Sequence, residues 1–172
     1  MQASRKAIST PDTTTLARQL AGFFRYASVA SDPEFLSQVA ELDLTLNELK
    51  LLLLVYERQA GSGPEKPCDL SVKELAERLG ISLPAASRAV DPLVRRRLVT
   101  RREDPADRRV RRVCTTAAGA RLVERLAATR VASFERLLAE LSTTERRKLG
   151  DALDELMARP EISGHVPGGR RR

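Results

Sequence analysis

There is no tryptophan in this 172-residue chain and there are only six other aromatic side chains, two Tyr and four Phe, so a core has to be built from Leu, Val and Ala. Cysteine is almost as scarce. Cys68 and Cys114 are too few and too far apart in sequence for a disulfide framework or a zinc site, and reduced structural thiols are the default. The single histidine, His165, lies in a Gly- and Pro-rich tail with no second ligand or base beside it, which leaves metal ligation and acid–base catalysis without a constellation. No apolar run approaches the roughly eighteen residues a membrane span needs, and the start MQASRKAIST holds no apolar signal core, so a cytoplasmic protein is expected. Nucleotide loops, paired catalytic motifs and metal-ligand spacings are missing too, so neither an enzyme class nor a cofactor is indicated.

What the chain does have is charge of one sign concentrated in one place. The formal net charge is +7; residues 95–112 hold nine arginines against three acids, and Arg170, Arg171 and Arg172 add three more charges, leaving the remainder slightly acidic. Basicity focused in this way points to a polyanion, with nucleic acid ahead of a membrane surface. Hydrophobic residues at 42% and charged residues at 31% suit a helix-rich globular fold of one compact unit.

Residues 1–12 are polar and aperiodic, a flexible terminus. Leu16, Leu20, Phe23, Phe24 and Ala27 then share one face of a helix within 13–30. Thr45 and Glu48 form a capping box, with Leu44 and Leu49 as its staple, and open a helix whose core face is Leu49, Leu52, Leu53 and Tyr56. The stretch AGSGPEKPCD at 60–69 is a loop. Ser71 with Glu74 repeats the capping box over a short helix Val72–Leu79, ended by Gly80 in the left-handed conformation. Ser82 caps the next helix, with Pro84 in its first turn where no hydrogen bond is lost. Its buried side is Ala86, Val90, Leu93 and Val94; Ala85, Ser87, Arg88, Asp91 and Arg95 form the small, polar side.

Only LGIS separates these two helices, a helix-turn-helix arrangement. LVTRR and RVRRVCT follow as two β-branched segments around EDPADR, a hairpin with Pro105 stiffening its loop. Thr116 caps a long helix to about Leu141 bearing Leu122, Leu126, Leu137 and Leu138; Ser142 with Glu145 opens a last one bearing Leu149, Leu153 and Leu156. The predicted architecture is mainly α with a small β-wing, a winged helix-turn-helix. Such a unit offers DNA a narrow helix, 82–96, for the major groove and an arginine-bearing wing tip for the adjacent minor groove. Asp107 is expected to pair with Arg108 or Arg109 and orient its guanidinium, with the wing arginines as contacts.

The run LSVKELAERLGISLPAASRAVDPLVRRRLVTRREDPADRRVRRVCTTAAGARL at 70–122 resembles the MarR family of winged-helix transcriptional regulators, most strongly in LVTR through DPADRR and in TTAAG at the following helix start. With the flanking helices the resemblance covers residues 13–158, as helices 13–30 and 117–158 for dimerisation around a winged helix at 45–116, with 159–172 a flexible basic tail. It implies a cytoplasmic homodimer whose first and last two helices interlock and present two winged domains to a pseudo-palindromic operator in double-stranded DNA. Ser82, Ala85, Ser87, Arg88 and Arg95 would face DNA from the recognition helix, Arg109 would be the minor-groove residue, Arg108 its neighbour and Asp107 its partner.

The resemblance also implies a ligand-responsive repressor with a small-organic-effector pocket near the dimer helices, to which Phe23, Phe24, Tyr26 and Tyr56 could contribute. The composition alone makes these aromatics core or dimer packing. Three positions depart from the family pattern: Pro92 within the recognition helix, Arg97 where a glycine is common, and Thr115 in place of a leucine. Sequence-nonspecific architectural binding, or a winged-helix module for protein contact, would use the same fold.

Overall fold

The computed structural model describes residues 12–30, 33–62, 70–104, 107–159 and 162. The expectations placed on Cys68, Pro105, His165, the first eleven residues and the arginines at 170–172 lie outside the described residues. Within the described residues, seven α-helices and three strands follow in the order α1 (Thr13–Arg25), a π-helical turn (Tyr26–Ala30), α2 (Pro33–Glu41), α3 (Leu46–Ser62), β1 (Leu70–Ser71), α4 (Val72–Leu79), α5 (Leu83–Arg95), β2 (Val99–Glu103), β3 (Arg111–Thr115), α6 (Ala117–Ala139) and α7 (Thr143–Met157).

The helix starts are set by local chemistry. At α3 the Thr45 amide donates to Glu48 at 2.8 Å while the Glu48 amide donates to the Thr45 hydroxyl oxygen at 3.3 Å. Ser71 with Glu74 and Ser142 with Glu145 repeat the box at α4 and α7. Each box satisfies two amide donors that the first helical turn leaves over. The Ser71 amide and hydroxyl hold the Glu74 carboxyl below its ordinary range, with smaller contributions from Arg112 and Arg78. Gly80 ends α4 at φ 65, as the left-handed cap requires.

The core is aliphatic, as the shortage of aromatics demands. Leu51, Leu52 and Val55 of α3, Leu75 of α4, Val90 and Leu93 of α5, Val99 and Val113 of the hairpin, and Leu122, Val123 and Leu126 of α6 form one buried cluster. The expected face of α3 is therefore rotated: Leu51 and Val55 are buried, whereas Leu49, Leu53 and Tyr56 are only partly so. The cause is that α3 is covered from several sides, by α4, α5, α6 and β3. The helix also runs on through Gly61 to Ser62, past the loop start expected at residue 60.

The sheet is antiparallel in the order β1-β3-β2, with Val99 opposite Thr115, Glu103 opposite Arg111 and Leu70 opposite Val113. The third strand changes the account of the cysteines. Cys114 is buried and disulfide-bonded, not a reduced thiol. Sequence distance misled because β1, which begins two residues after Cys68, pairs beside the residue that precedes Cys114.

At the other end, α1 and α7 contain no buried residue. Leu16, Leu20, Phe23 and Phe24 of α1 and Leu153 and Leu156 of α7 are exposed, Leu20 at 66% and Phe24 at 68%. Six large apolar side chains on two helices form more uncovered surface than scattered exposure explains.

Candidate nucleic-acid interface

The helix-turn-helix is α4 and α5. Ser82 caps α5, its hydroxyl oxygen accepting from the Ala85 amide at 3.3 Å, and Pro84 falls in the first turn. Ala86, Ala89, Val90 and Leu93 are buried, which turns Arg88, Asp91 and Arg95 outward, with Ala85 and Ser87 half-exposed beside them. The helix continues through Pro92 to Arg95. Arg97, at the glycine-like position, adopts φ 58, so the left-handed turn into β2 is made without glycine.

Thr116 and Gly119 close this turn from the far side. The Thr116 hydroxyl donates to the Arg97 carbonyl at 2.7 Å and accepts from the Gly119 amide at 3.0 Å, and the Thr116 amide donates to the Leu98 carbonyl at 3.0 Å. A Cβ on Gly119 would stand 2.1 Å from that same carbonyl oxygen. The TTAAG motif is thus a close approach of α6 to the start of the wing.

Within the wing the expectation for Asp107 has to be corrected. Its carboxylate accepts from the backbone amide of Arg109 at 2.9 Å, a short Asx-type turn, and makes no ion pair with the guanidinium of Arg108 or Arg109. Two residues of backbone bring that amide nearer than the end of a long side chain. The buried carboxylate at the wing's base belongs to Asp104, which pairs with Arg112 and accepts from the Asp107 amide at 3.3 Å. Glu103 pairs with Arg111 at 2.6 Å across the two strands.

The nine arginines of 95–112 consequently divide into two groups. Arg96, Arg101, Arg111 and Arg112 are in ion pairs with Asp43, Asp91, Glu103 and Asp104. Arg95, Arg97, Arg102, Arg108 and Arg109 are exposed and have no ion pair among the described residues. Arg101 was missed as a structural residue because the sequence presents it as one more wing arginine. Its guanidinium donates to the Asp91 carboxylate at 2.9 Å and to the Ser87 carbonyl at 3.4 Å, fastening β2 to the outer face of α5.

The result is a convex helix face and a basic hairpin held in fixed relation, with guanidinium groups projecting from both. Such an arrangement has the chemistry to meet phosphates and base edges. Among the described residues there is no group of three or more His, Cys, Asp or Glu side chains that could hold a metal ion.

The aromatic candidates for an effector site are not equivalent. Phe24 and Tyr26 are exposed at the end of α1 and in the turn after it. The Tyr56 hydroxyl donates to Glu124 of α6 at 3.3 Å, and burial, followed by the Glu124 charge, pushes its pKa upward. Tyr56 is therefore part of the α3–α6 contact.

Comparison with known proteins agrees with this geometry. A model of the MarR family matches residues 42–110. An HTH-type transcriptional regulator of Bacillus subtilis (strain 168), YxaD, is 33% identical over 85 residues, 49% of this chain and 59% of YxaD, so the chain spans about three fifths of that relative. RV1404 from Mycobacterium tuberculosis superposes with a TM-score of 0.70 at 24% identity, over 90% of this chain and 98% of that one. A variant of the Staphylococcus aureus regulator MepR bound to an oligodeoxyribonucleotide gives 0.59 at 21% identity, over 87% and 98%. At these identities the structural matches establish a shared fold.

Proposed function

We propose that this chain is a DNA-binding transcriptional regulator of the MarR family, whose model matches residues 42–110, and that it represses transcription as a homodimer on a pseudo-palindromic operator. Helix α5 enters the major groove, with Ser82, Ala85, Ser87, Arg88 and Arg95 toward phosphates and base edges. Arg108 and Arg109 reach into the adjacent minor groove, and Asp107 shapes the turn that carries them. The observation that carries this reading is the division of the arginines: those that could hold the wing in place are paired, while those at its tip and along α5 are exposed.

Dimerisation has its own support. The apolar stripes of α1 and α7 are uncovered in the single chain, and a second copy bringing the same stripes is the partner whose surface matches by symmetry. The helix 13–30 and the helices within 117–158 form that interface, and the winged unit at 45–116 reads the DNA. A small organic effector bound near α1, with Phe24 and Tyr26 as candidate contacts, would release DNA by favouring a dimer whose two α5 helices no longer match successive major grooves.

Selection from a random duplex pool at near-physiological salt tests the proposal. Enrichment of an inverted repeat with half-sites about one helical turn apart, about 34 to 36 Å, is the expected result. Retention without enrichment would instead mean architectural binding, and no retention even at low salt would mean a protein partner.

A further inference from the structure

Arg96 carries no role in the interface just described, yet its guanidinium makes three hydrogen bonds within the fold. Its guanidinium donates to the carbonyl of Leu42, to the carbonyl of Asp43 at 2.9 Å and to the Asp43 carboxylate at 3.0 Å. It therefore joins two turns that are far apart in sequence, one between α2 and α3 and one between α5 and β2. Among the described residues, Asp43, at φ 48, and Arg97, at φ 58, are the non-glycine residues with positive φ, one in each turn. Left-handed backbone at a side chain of that size persists where the surroundings hold it.

The α2 side of this bridge is anchored to the long helix. The Arg130 guanidinium of α6 lies 3.7 Å from the ring centre of Phe35, the Thr129 hydroxyl donates to Gln38 at 3.0 Å, and Arg136 pairs with Glu34 at 3.5 Å. Position is thus passed from α6 through α2 to the Leu42–Asp43 turn, and by Arg96 to the end of α5. The winged unit also rests on α6 through α3 and, at the start of the long helix, through β3 and the Thr116–Gly119 contact with the Arg97–Leu98 turn. The route through α2 adds a brace farther along α6, at residues 129–136, where a longer lever arm resists tilt.

We propose that Arg96 is a positioning residue that sets the angle of α5 to α6 and, in the dimer, the separation at which two half-sites are read. This rests on the dimeric reading above. A displacement of one base pair is about 3.4 Å along the helix axis, so a small tilt at each subunit is enough to lose the match. The exposed ion pair contributes little by itself, since Asp43 is almost fully solvated. The forked donation to two carbonyls and a carboxylate is the specific part, and lysine, a point charge, cannot reproduce it.

The test uses the full-length protein and duplexes carrying the enriched inverted repeat, with half-sites moved one or two base pairs closer or farther. Wild type is expected to lose about tenfold in affinity or more for each base pair of displacement, the size of a spoiled contact. Arg96→Lys keeps the charge and is expected to bind the best duplex within about threefold of wild type, but to vary by less than about threefold across the set. Asp43→Ala, at an exposed position that does not threaten the core, moves the profile the same way by a smaller amount. A generally destabilised protein would lower every affinity together and leave the profile's shape intact. Wild-type profiles in both variants would overturn the inference, whereas indifference of the wild type itself would overturn the dimeric reading with it.

Discussion

The guanidinium of Arg101, on the first wing strand, donates to the carboxylate of Asp91 on the recognition helix at 2.9 Å. Ten residues separate the two in sequence, and between them the chain turns from helix into sheet. This pair holds helix and wing in one orientation, and in the proposed complex both grooves would be addressed without a further ordering cost on binding.

The first prediction follows from that pair. Arg101→Ala and Asp91→Ala each lower affinity for a selected duplex by about tenfold, and the double variant is little worse than either single one. Both groups are partly exposed, so the pair adds no more than about 1 kcal/mol to folding stability. Additive losses in a double-mutant cycle would mean that Arg101 touches DNA on its own account.

Gly119→Ala is expected to destabilise the fold by about 3 kcal/mol or more, because its Cβ would overlap the Leu98 carbonyl oxygen. That oxygen also accepts from the Thr116 amide, so it cannot retreat without breaking that bond. Urea unfolding gives the answer; an unchanged midpoint would mean that α6 shifts freely against the wing.

Removing a wing-tip charge acts on binding and not on folding. Arg109→Ala weakens DNA binding by about tenfold, and the slope of log affinity against log salt becomes shallower by about one if the side chain neutralises one phosphate. The melting temperature stays at the wild-type value, since Arg109 is exposed and its ordered contact is through its backbone amide.

Phe24→Glu places a charge in the uncovered face of α1. Sedimentation should show a dimer for wild type and a monomer for the variant, with loss of specific DNA binding, since burying one such ring contributes about 2 to 3 kcal/mol. A dimer unaffected by this change would exclude the α1 face from the interface.

The start of α4 responds to acid in a direction fixed by its capping box. Ser71 lowers the folded-state pKa of Glu74 below its ordinary value of 4.5, so the stabilisation is complete above that value and is lost as pH falls through the lowered one. Glu74→Ala should therefore reduce the melting temperature near neutral pH and converge with wild type in acid. Parallel curves throughout would show that the carboxylate is not the group concerned.

How much of this was legible in the sequence depended on the range of each interaction. The three capping boxes, the Ser82 cap and the Gly80 stop involve partners within three residues and could be read directly. So could the wing, whose two strands alternate around an obvious turn. Helix α2 went unseen, and β1, two residues long, is too short to carry a pattern. Everything that depended on them followed: the disulfide at Cys114, the anchoring of α2 on α6, and the grip of Arg96 on the Leu42–Asp43 turn. The arginines themselves were conspicuous, but sequence does not say which of them are occupied. Asp107 and Asp104 show the same limit, since both stand in DPADRR and only the fold assigns the buried pairing to Asp104.

The central claim is that one rigid unit reads a major groove with α5 and the neighbouring minor groove with Arg109. Dimethyl sulfate reports both at once, at guanine N7 in the major groove and adenine N3 in the minor groove. On the selected duplex, wild type should protect N7 at two positions one helical turn apart and N3 in the flanking minor grooves, and Arg109→Ala should lose only the N3 protection. Minor-groove protection that survives Arg109→Ala, or protection spread evenly along the duplex, would contradict the account.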